Sequence, residues 1–322
     1  MLVAALVIAY GLLGEHLRDG LGLPGSGDAP TRGAGLRLAT WNLHNFPAPD
    51  PADRPDVSGR ELFASAQDRA RLGDRLRGLD ADLLAVQEVL EPAALQALLP
   101  GWTLHLSEHG GRGHQRLGIA LDPDVLEIIG PAREHAGLAM GGRVRPGLSA
   151  YLRARDGGPD FHALVVHLKA KSDGYALRAQ QWSLLAEIAA ELLRRDPDLI
   201  ILGDFNATGP AGGSPETELA ALAAVLEPLG LRRLAPAEPC SAYWDGARRD
   251  AWQEPSLLDL VWVAGLHEGL GPRDIVHPLH HCARHRCRPF RSTAAHPEPD
   301  YADLSDHCPL VLDLAPGQDD DL

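Results

Sequence analysis

The stretch Ile200-Ile-Leu-Gly-Asp-Phe-Asn-Ala-Thr208 runs as an apolar strand into Gly203 and then sets Asp204 and Asn206 on either side of Phe205. Period-two spacing sends both polar side chains one way and the ring the other, which loop decoration explains poorly. In Leu257-Leu-Asp-Leu-Val-Trp-Val263, Asp259 stands in the middle of an apolar run, where a carboxylate needs a protonated histidine or a network of donors. Leu304-Ser-Asp-His-Cys-Pro-Leu310 offers that histidine. Asp306 and His307 precede the last apolar run, and Asp259 can orient His307 as a carboxylate orients the base of a dyad.

Three weaker segments add to this set. Leu83-Leu-Ala-Val-Gln-Glu-Val89 places Gln87 and Glu88 in an apolar run. A carboxylate there needs a cation or a charged partner, so Glu88 is either a metal ligand or an edge residue. In Val165-Val-His-Leu-Lys-Ala170, His167 and Lys169 share a strand face and can present positive charge to a phosphate, although a lone strand histidine is more often a structural hydrogen-bonder. Leu36-Arg-Leu-Ala-Thr-Trp-Asn-Leu-His-Asn-Phe46 ends in amides. Asn42 can give a metal a neutral oxygen or hold a phosphate oxygen, and by itself reads as a turn cap.

Strands must carry these residues. Apolar runs of strand length cover 36–41, 83–86, 117–121, 164–168, 199–202, 257–263 and 309–314. Helical spacing fills Glu61–Leu79, through Leu62, Ala66, Ala70, Leu72 and Leu76, and Tyr175–Leu193, through Leu177, Trp182, Leu185, Ile188 and Leu192. The alternation predicts a layered α/β fold, with polar residues gathered at the strand ends where such folds place their chemistry. No repeat and no low-complexity run divides the chain. We expect an apolar N-terminal segment and linker over 1–35, one domain over 36–316 and an acidic tail over 317–322.

The ordered set Trp41-Asn42, Gln87-Glu88, His167, Gly203-Asp204-Phe205-Asn206, Asp259 and Ser305-Asp306-His307 resembles the endonuclease/exonuclease/phosphatase superfamily. Its members include deoxyribonuclease-I-like nucleases, abasic-site endonucleases, neutral sphingomyelinases and inositol polyphosphate 5-phosphatases. The resemblance covers about 36–314. It implies a four-layer α/β sandwich, two packed mixed β-sheets flanked by helices, with the site at one end of the sheets. It also implies magnesium (Mg2+), with manganese (Mn2+) as the alternative, held by Glu88, Asn42 and Asp306. His307, oriented by Asp259, would be the general base on water, with the Asp204-type carboxylate as the other candidate base in the family. Asp204 and Asn206 would position water and phosphate, and His167 would steady the phosphoryl oxygens or protonate the departing oxygen. Asn42, Asn206 and Lys169 would touch substrate. Two departures stand out: Leu260 follows Asp259 where the family often has His or Tyr, and the family's accessory Tyr or Arg has only Arg112 and Arg116 as candidates.

Composition narrows the rest. The 322 residues, 45% hydrophobic, suffice for a large core without covalent staples. A formal charge of −14 argues against a tight or processive nucleic-acid binder, and with only 5% aromatic residues it favours a lipid or small phosphoester as substrate. A nuclease cutting DNA or RNA phosphodiesters is the leading expectation, a phosphatase or phospholipase-C/sphingomyelinase-like hydrolase of a lipid or small phosphoester the second, and a non-catalytic binding module the third. Dinuclear metallophosphoesterases share Gly203-Asp204 but require Asn-His and His motifs that do not fit here. A monomer without a stable protein partner is expected. Met1 to Leu13 are almost wholly apolar, too short for a membrane span but suited to a signal peptide or anchor, although no basic residue precedes them. That reading makes the protein secreted or periplasmic, and a short buried helix would leave it cytoplasmic. Cys240, Cys282, Cys287 and Cys308 suggest a Cys282–Cys287 loop disulfide, with free thiols or a zinc site in 280–287 as alternatives.

Overall fold

The computed structural model describes residues 31–32, 34–47, 66–243, 252–267, 269–271, 274–293 and 304–317. The apolar segment 1–13, the first residues of the helix expected at Glu61 and most of the acidic tail lie outside them. Among the described residues no helix is long and apolar enough to cross a membrane.

The first half of the chain forms β1 (Arg37–Phe46), α1 (Ala66–Gly78), β2 (Leu83–Val89), α2 (Pro92–Leu98), β3 (Thr103–Leu106), β4 (Arg116–Leu121), β5 (Leu126–Ile128) and β6 (Arg133–His135). Then come β7 (Gly147–Ala154), β8 (Asp160–His167), α3 (Tyr175–Leu193), β9 (Leu199–Asp204), α4 (Pro215–Leu226), β10 (Arg232–Arg233) and β11 (Ala235–Pro236). The last part supplies β12 (Trp252–Gln253), β13 (Asp259–Ala264), β14 (Ile275–Pro278), α5 (His280–His285), β15 (Phe290–Arg291) and β16 (Leu310–Asp313). One sheet runs β11-β14-β16-β1-β2-β4-β3; the other runs β10-β13-β9-β8-β7-β5, with β6 beside β7. Both are mixed: β1 with β2, and β8 with β9, are parallel, while β2–β4 and β9–β13 are antiparallel.

Alternation along each strand builds the layers. Leu83 and Ala85, Ala163 and Val165, Ile200 and Leu202, and Val261 and Val263 meet between the sheets. Their neighbours Leu84 and Val86 face Leu72, Leu76 and Leu95 of α1 and α2. On the other side Val166, Ile201, Leu260 and Trp262 face Trp182, Leu185 and Leu192 of α3 and Leu222 and Leu226 of α4. This is the expected four-layer sandwich. Leu260 faces the helix layer rather than the sheet interface, so an apolar side chain suits it. Helix α4 starts on Ser214, whose hydroxyl accepts from Thr217 N, with Pro215 next and Glu216 and Glu218 in the first turn, all of which favour a helix N-terminus.

Two expectations change. Asp259 opens β13 instead of lying mid-strand, because residues 257–258 lead into the strand from outside the ladder. The cysteines pair as Cys240–Cys287 and Cys282–Cys308, not as a Cys282–Cys287 loop. Helix α5 turns Cys282 towards Cys308, and positive φ at Arg286 and Cys287 reverses the chain and sends Cys287 to Cys240. No free cysteine is left among the described residues, so no thiolate remains for zinc. The bridges close loops with separations of 47 and 26 residues, each contributing roughly 3–4 kcal/mol in the chain-entropy account.

His135 and His162 are 6% and 7% exposed. Burial, with Arg133 next for His135 and Arg195 for His162, pushes both down to about 4. Each is neutral when folded but binds a proton more readily unfolded, so the stability it permits is complete above about pH 6.5 and is lost as pH falls towards 4, on the order of 2 kcal/mol apiece. Denaturant midpoints measured from pH 7 to 4 should fall accordingly, and less steeply in His162→Gln; a pH-independent midpoint would contradict this.

Candidate active site

The face that is apolar along the sheet interface becomes polar where the strands end. Following 163 and 165, the next inward residue of β8 is His167; following 200 and 202, that of β9 is Asp204; Asp259 begins the inward series of β13. Register completes the grouping: His167 and Asp259 flank Asp204 on neighbouring strands, and Asn42 pairs with Gln87 across β1 and β2. Gly203 makes room for this crossing, since its φ is +133° and a Cβ there would lie 2.2 Å from Val166 O. Glu88 breaks the alternation. Simple period-two spacing would turn it to the helix layer, but φ of +62° and a register shift in the β2–β4 ladder aim it into the site. His44 and Asn45, at φ of +47° and +61°, make the matching irregularity in β1.

Asn42, 1% exposed, joins the carboxylates from behind. Its Nδ2 donates to Asp204 Oδ2 at 3.0 Å and Glu88 Oε1 at 3.3 Å, and its Oδ1 accepts from His44 N. The other Glu88 oxygen accepts from Asn45 N. His167 Nε2 lies 3.2 Å from Asp204 Oδ2 and 3.7 Å from Glu88 Oε1. His307 Nδ1 meets Asp259 Oδ2 at 2.8 Å, and its Nε2 stands 3.9 Å from Asp204 Oδ2. Asp204 Oδ1 accepts from Asn206 N, whose own side chain donates to Leu168 O. Asp306 pairs with His44 at 2.8 Å.

The charges settle one another. Burial pushes Asp204 up, but His167, His307 and Arg145 outweigh it and hold it at about 2. Burial would lower His307, yet Asp259, Asp204 and Asp306 raise it well above an ordinary histidine. Burial and then Arg145 lower His167. Asp306, despite burial, is held well below the carboxylate range by His44. The set therefore rests with Asp204 and Asp306 ionised and His307 cationic.

A cleft of about 230 Å³ opens onto this group, lined by Glu88, His167, Asp204, Asn206, Asp306 and His307 together with His44, Asn45, Gln115 and Lys171. Of the expected residues, Asn42 and Asp259 stand behind its wall. Lys169 is half-buried with its Nζ on Ala170 O, and Lys171 takes the lining position. Arg112 and Arg116 do not line it. Arg145 comes closer: its Nη2 donates to Leu168 O and its guanidinium feels Glu88 and Asp204. It lies in 141–146, a Gly/Arg/Pro loop with no periodicity to reveal it. Ser241 likewise carries no sequence signal of its own. Its Oγ donates to Asp259 Oδ2 and accepts from Leu258 N and Asp259 N. Ser305 Oγ donates to Asn42 O and accepts from His307 N, and Trp41 Nε1 donates to His307 O. Glu88 and Asp306 offer the cleft hard carboxylate oxygens, the donors that suit magnesium or manganese, and this concentration of negative charge favours a cation.

Comparison with known proteins agrees with this fold. A model of the Endonuclease/Exonuclease/phosphatase family matches residues 39–307. The human Nocturnin catalytic domain with bound sulfate anion is 16% identical over 88% of this chain and 94% of its own, with a TM-score of 0.57. D. rerio TDP2 complexed with single strand DNA product is 16% identical over 88% of this chain and 99% of its own, at 0.54. The Bacteroides thetaiotaomicron mannosyl-6-phosphatase is 18% identical over 87% and 99%, at 0.56. At these identities the structures show a shared fold. No curated protein matches the chain by sequence.

If Asp259 is the main support of the His307 cation, Asp259→Asn leaves burial to dominate. Nitrogen-detected NMR titration should then find His307 neutral at pH 7 in the variant and protonated in the parent; the same protonation state in both would disprove the assignment.

Proposed function

Because the chain belongs to the endonuclease/exonuclease/phosphatase family, we propose that it is a divalent-metal-dependent phosphoesterase, and that its substrates are the phosphodiester bonds of DNA or RNA. The observation that carries this reading is the meeting of Glu88, Asp204 and Asp306 with His167 and the His307–Asp259 pair in one cleft. Glu88 and Asp306 would hold the ion, magnesium or manganese. When bound, it would supply positive charge against the phosphoryl oxygens.

The chain's own groups account for the remainder. Asp204, ionised and flanked by Asn206, orients the attacking water and can take its proton. His307 rests as a cation, which suits it to steady growing negative charge and to give a proton to the departing oxygen rather than to begin as the base. Asp259, fixed by Ser241, keeps the ring in place. His167 and Arg145 add donors on the phosphate side.

A second reading, hydrolysis of a lipid or small phosphoester, is favoured by the net charge of −14 and by a cleft in which Lys171 is the single exposed cationic side chain among the described lining residues. The two buried disulfides support work in an oxidising compartment, secreted or periplasmic.

The purified protein should nick plasmid DNA or cleave RNA with magnesium and stop on chelation. Glu88→Ala and His307→Ala should each lose at least about a hundredfold in kcat while keeping a cooperative unfolding transition and the parent's circular-dichroism spectrum, with a lower midpoint in His307→Ala because it strands the buried Asp259 carboxylate. Turnover of sphingomyelin or a sugar phosphate with plasmid and RNA left intact would move the assignment to the second reading, and unchanged turnover in both variants would sink the site.

A further inference from the structure

Away from the reacting groups, Arg178 in α3 and Glu218 in α4 form a buried ion pair, 0% and 1% exposed. The pairing is bidentate, with Nε on Oε1 at 2.6 Å and Nη2 on Oε2 at 2.8 Å. The other guanidinium hydrogens are also used. Nη1 donates to Lys169 O at 2.8 Å and Lys171 O at 2.6 Å, and Nη2 to Thr208 Oγ1 at 3.1 Å. Glu218 Oε2 accepts from Gly209 N as well. All five donors of the fork thus have acceptors.

What the pair grips gives it a purpose. Residues 168–171 leave the strand that ends in His167, and 206–209 leave the strand that ends in Asp204. Both segments line the cleft, through Ala170 and Lys171 on one and Asn206 on the other. Lys171 has φ of +70°, a conformation that a non-glycine residue keeps only when its surroundings impose it. Here its carbonyl is drawn inward to Arg178 while the exposed side chain belongs to the cleft lining. Nearby, Lys169 N is fixed by Gln181 Oε1 from the same helix. A buried ion pair adds little stability over an apolar pair of equal volume. Its worth lies in fixing geometry.

We propose that Arg178–Glu218 is a positioning clamp that holds Lys171 at the mouth of the cleft as the cation for a flanking phosphate of a nucleic-acid strand, one removed from the phosphate that reacts. The clamp reaches substrate only through Lys171, and the proposal rests on the nucleic-acid reading of the substrate above.

The test is a double-mutant cycle of Arg178→Lys, which keeps the charge but loses the fork, with Lys171→Ala. A short fluorescein-labelled oligodeoxynucleotide is the probe. Its affinity is measured by fluorescence anisotropy with a chelator present, and its KM is compared with that of bis-p-nitrophenyl phosphate, which has no flanking phosphate. Each single variant should weaken oligonucleotide binding about tenfold, and the double variant no further, because both act through one contact. The KM for the oligonucleotide should rise about tenfold more than that for the small diester, with the larger change in KM rather than kcat. Should Arg178→Lys not fold, Thr208→Val removes one of the five bonds and should show the same non-additivity at smaller size. Additive losses, or unaltered binding in Lys171→Ala, would overturn the proposal. Absence of turnover on every phosphoester would instead refute the functional reading, while the anisotropy cycle still decides the clamp.

Discussion

An ionised carboxylate 1% exposed between two sheets is the constraint on which this structure turns. Asp204 cannot hold its charge there without compensation. The compensation fixes what stands around it: His167 and His307 on one oxygen, the Asn206 amide on the other, and the Asn42 carboxamide between it and Glu88. His307 in turn requires Asp259, and Asp259 requires Ser241. Removing any one of these leaves a buried charge short of a partner, so the group stands or fails together. The parallel β8–β9 pair and antiparallel β13 serve it by bringing three strand ends into register.

The covalent bridges act on the same group. Ser241 follows Cys240, and His307 precedes Cys308; both cysteines are tied to the segment carrying α5. Between the ties, Cys308 N donates to Ser241 O and Tyr243 N to Asp306 O. The two halves of the His307–Asp259 support therefore lie in segments that are bridged beside the dyad itself. Irregular backbone serves the opposite wall, where left-handed residues at Asn45 and Glu88 turn into the cleft side chains that a regular strand would send elsewhere, and His44 shares the irregularity of β1.

Much of this could be read in the sequence, because the expected strands and the inward placement of Asp204 follow from period-two alternation. The α1 and α3 helices followed from helical spacing in the same way. The pairing of Asp259 with His307 was legible for a different reason: a carboxylate in an apolar run demands a partner, and few candidates exist. What escaped depends on contacts distant in sequence. Strand β7, Gly147-Leu-Ser-Ala-Tyr-Leu-Arg-Ala154, mixes small, polar and apolar residues and draws its place from β8 and β5. Arg145 and Ser241 lie in loops without periodicity, and the cysteine pairing follows from a chain reversal at Arg286 and Cys287 that spacing does not encode. Glu88 reads as a metal-ligand candidate from its apolar run, but alternation points it to the other face, so its turn into the cleft is not visible in the sequence.

The charge of the whole molecule and the charge of its cleft make different demands. A chain carrying −14 repels a polyanion at long range, but within a Debye length, about 8 Å at physiological salt, local groups decide. Inside the cleft the carboxylates are partly answered by His307 and Arg145, and a divalent ion would answer more of their charge, while Lys171 stands at the lining with its backbone pinned from beneath. A cation on a flexible stem must lose freedom to serve as a fixed contact. Tying its carbonyl to Arg178 removes the backbone share of that loss in advance. A fully satisfied, buried ion pair beneath the cleft wall is thus consistent with a site that has few cations and needs each to stand in a defined place.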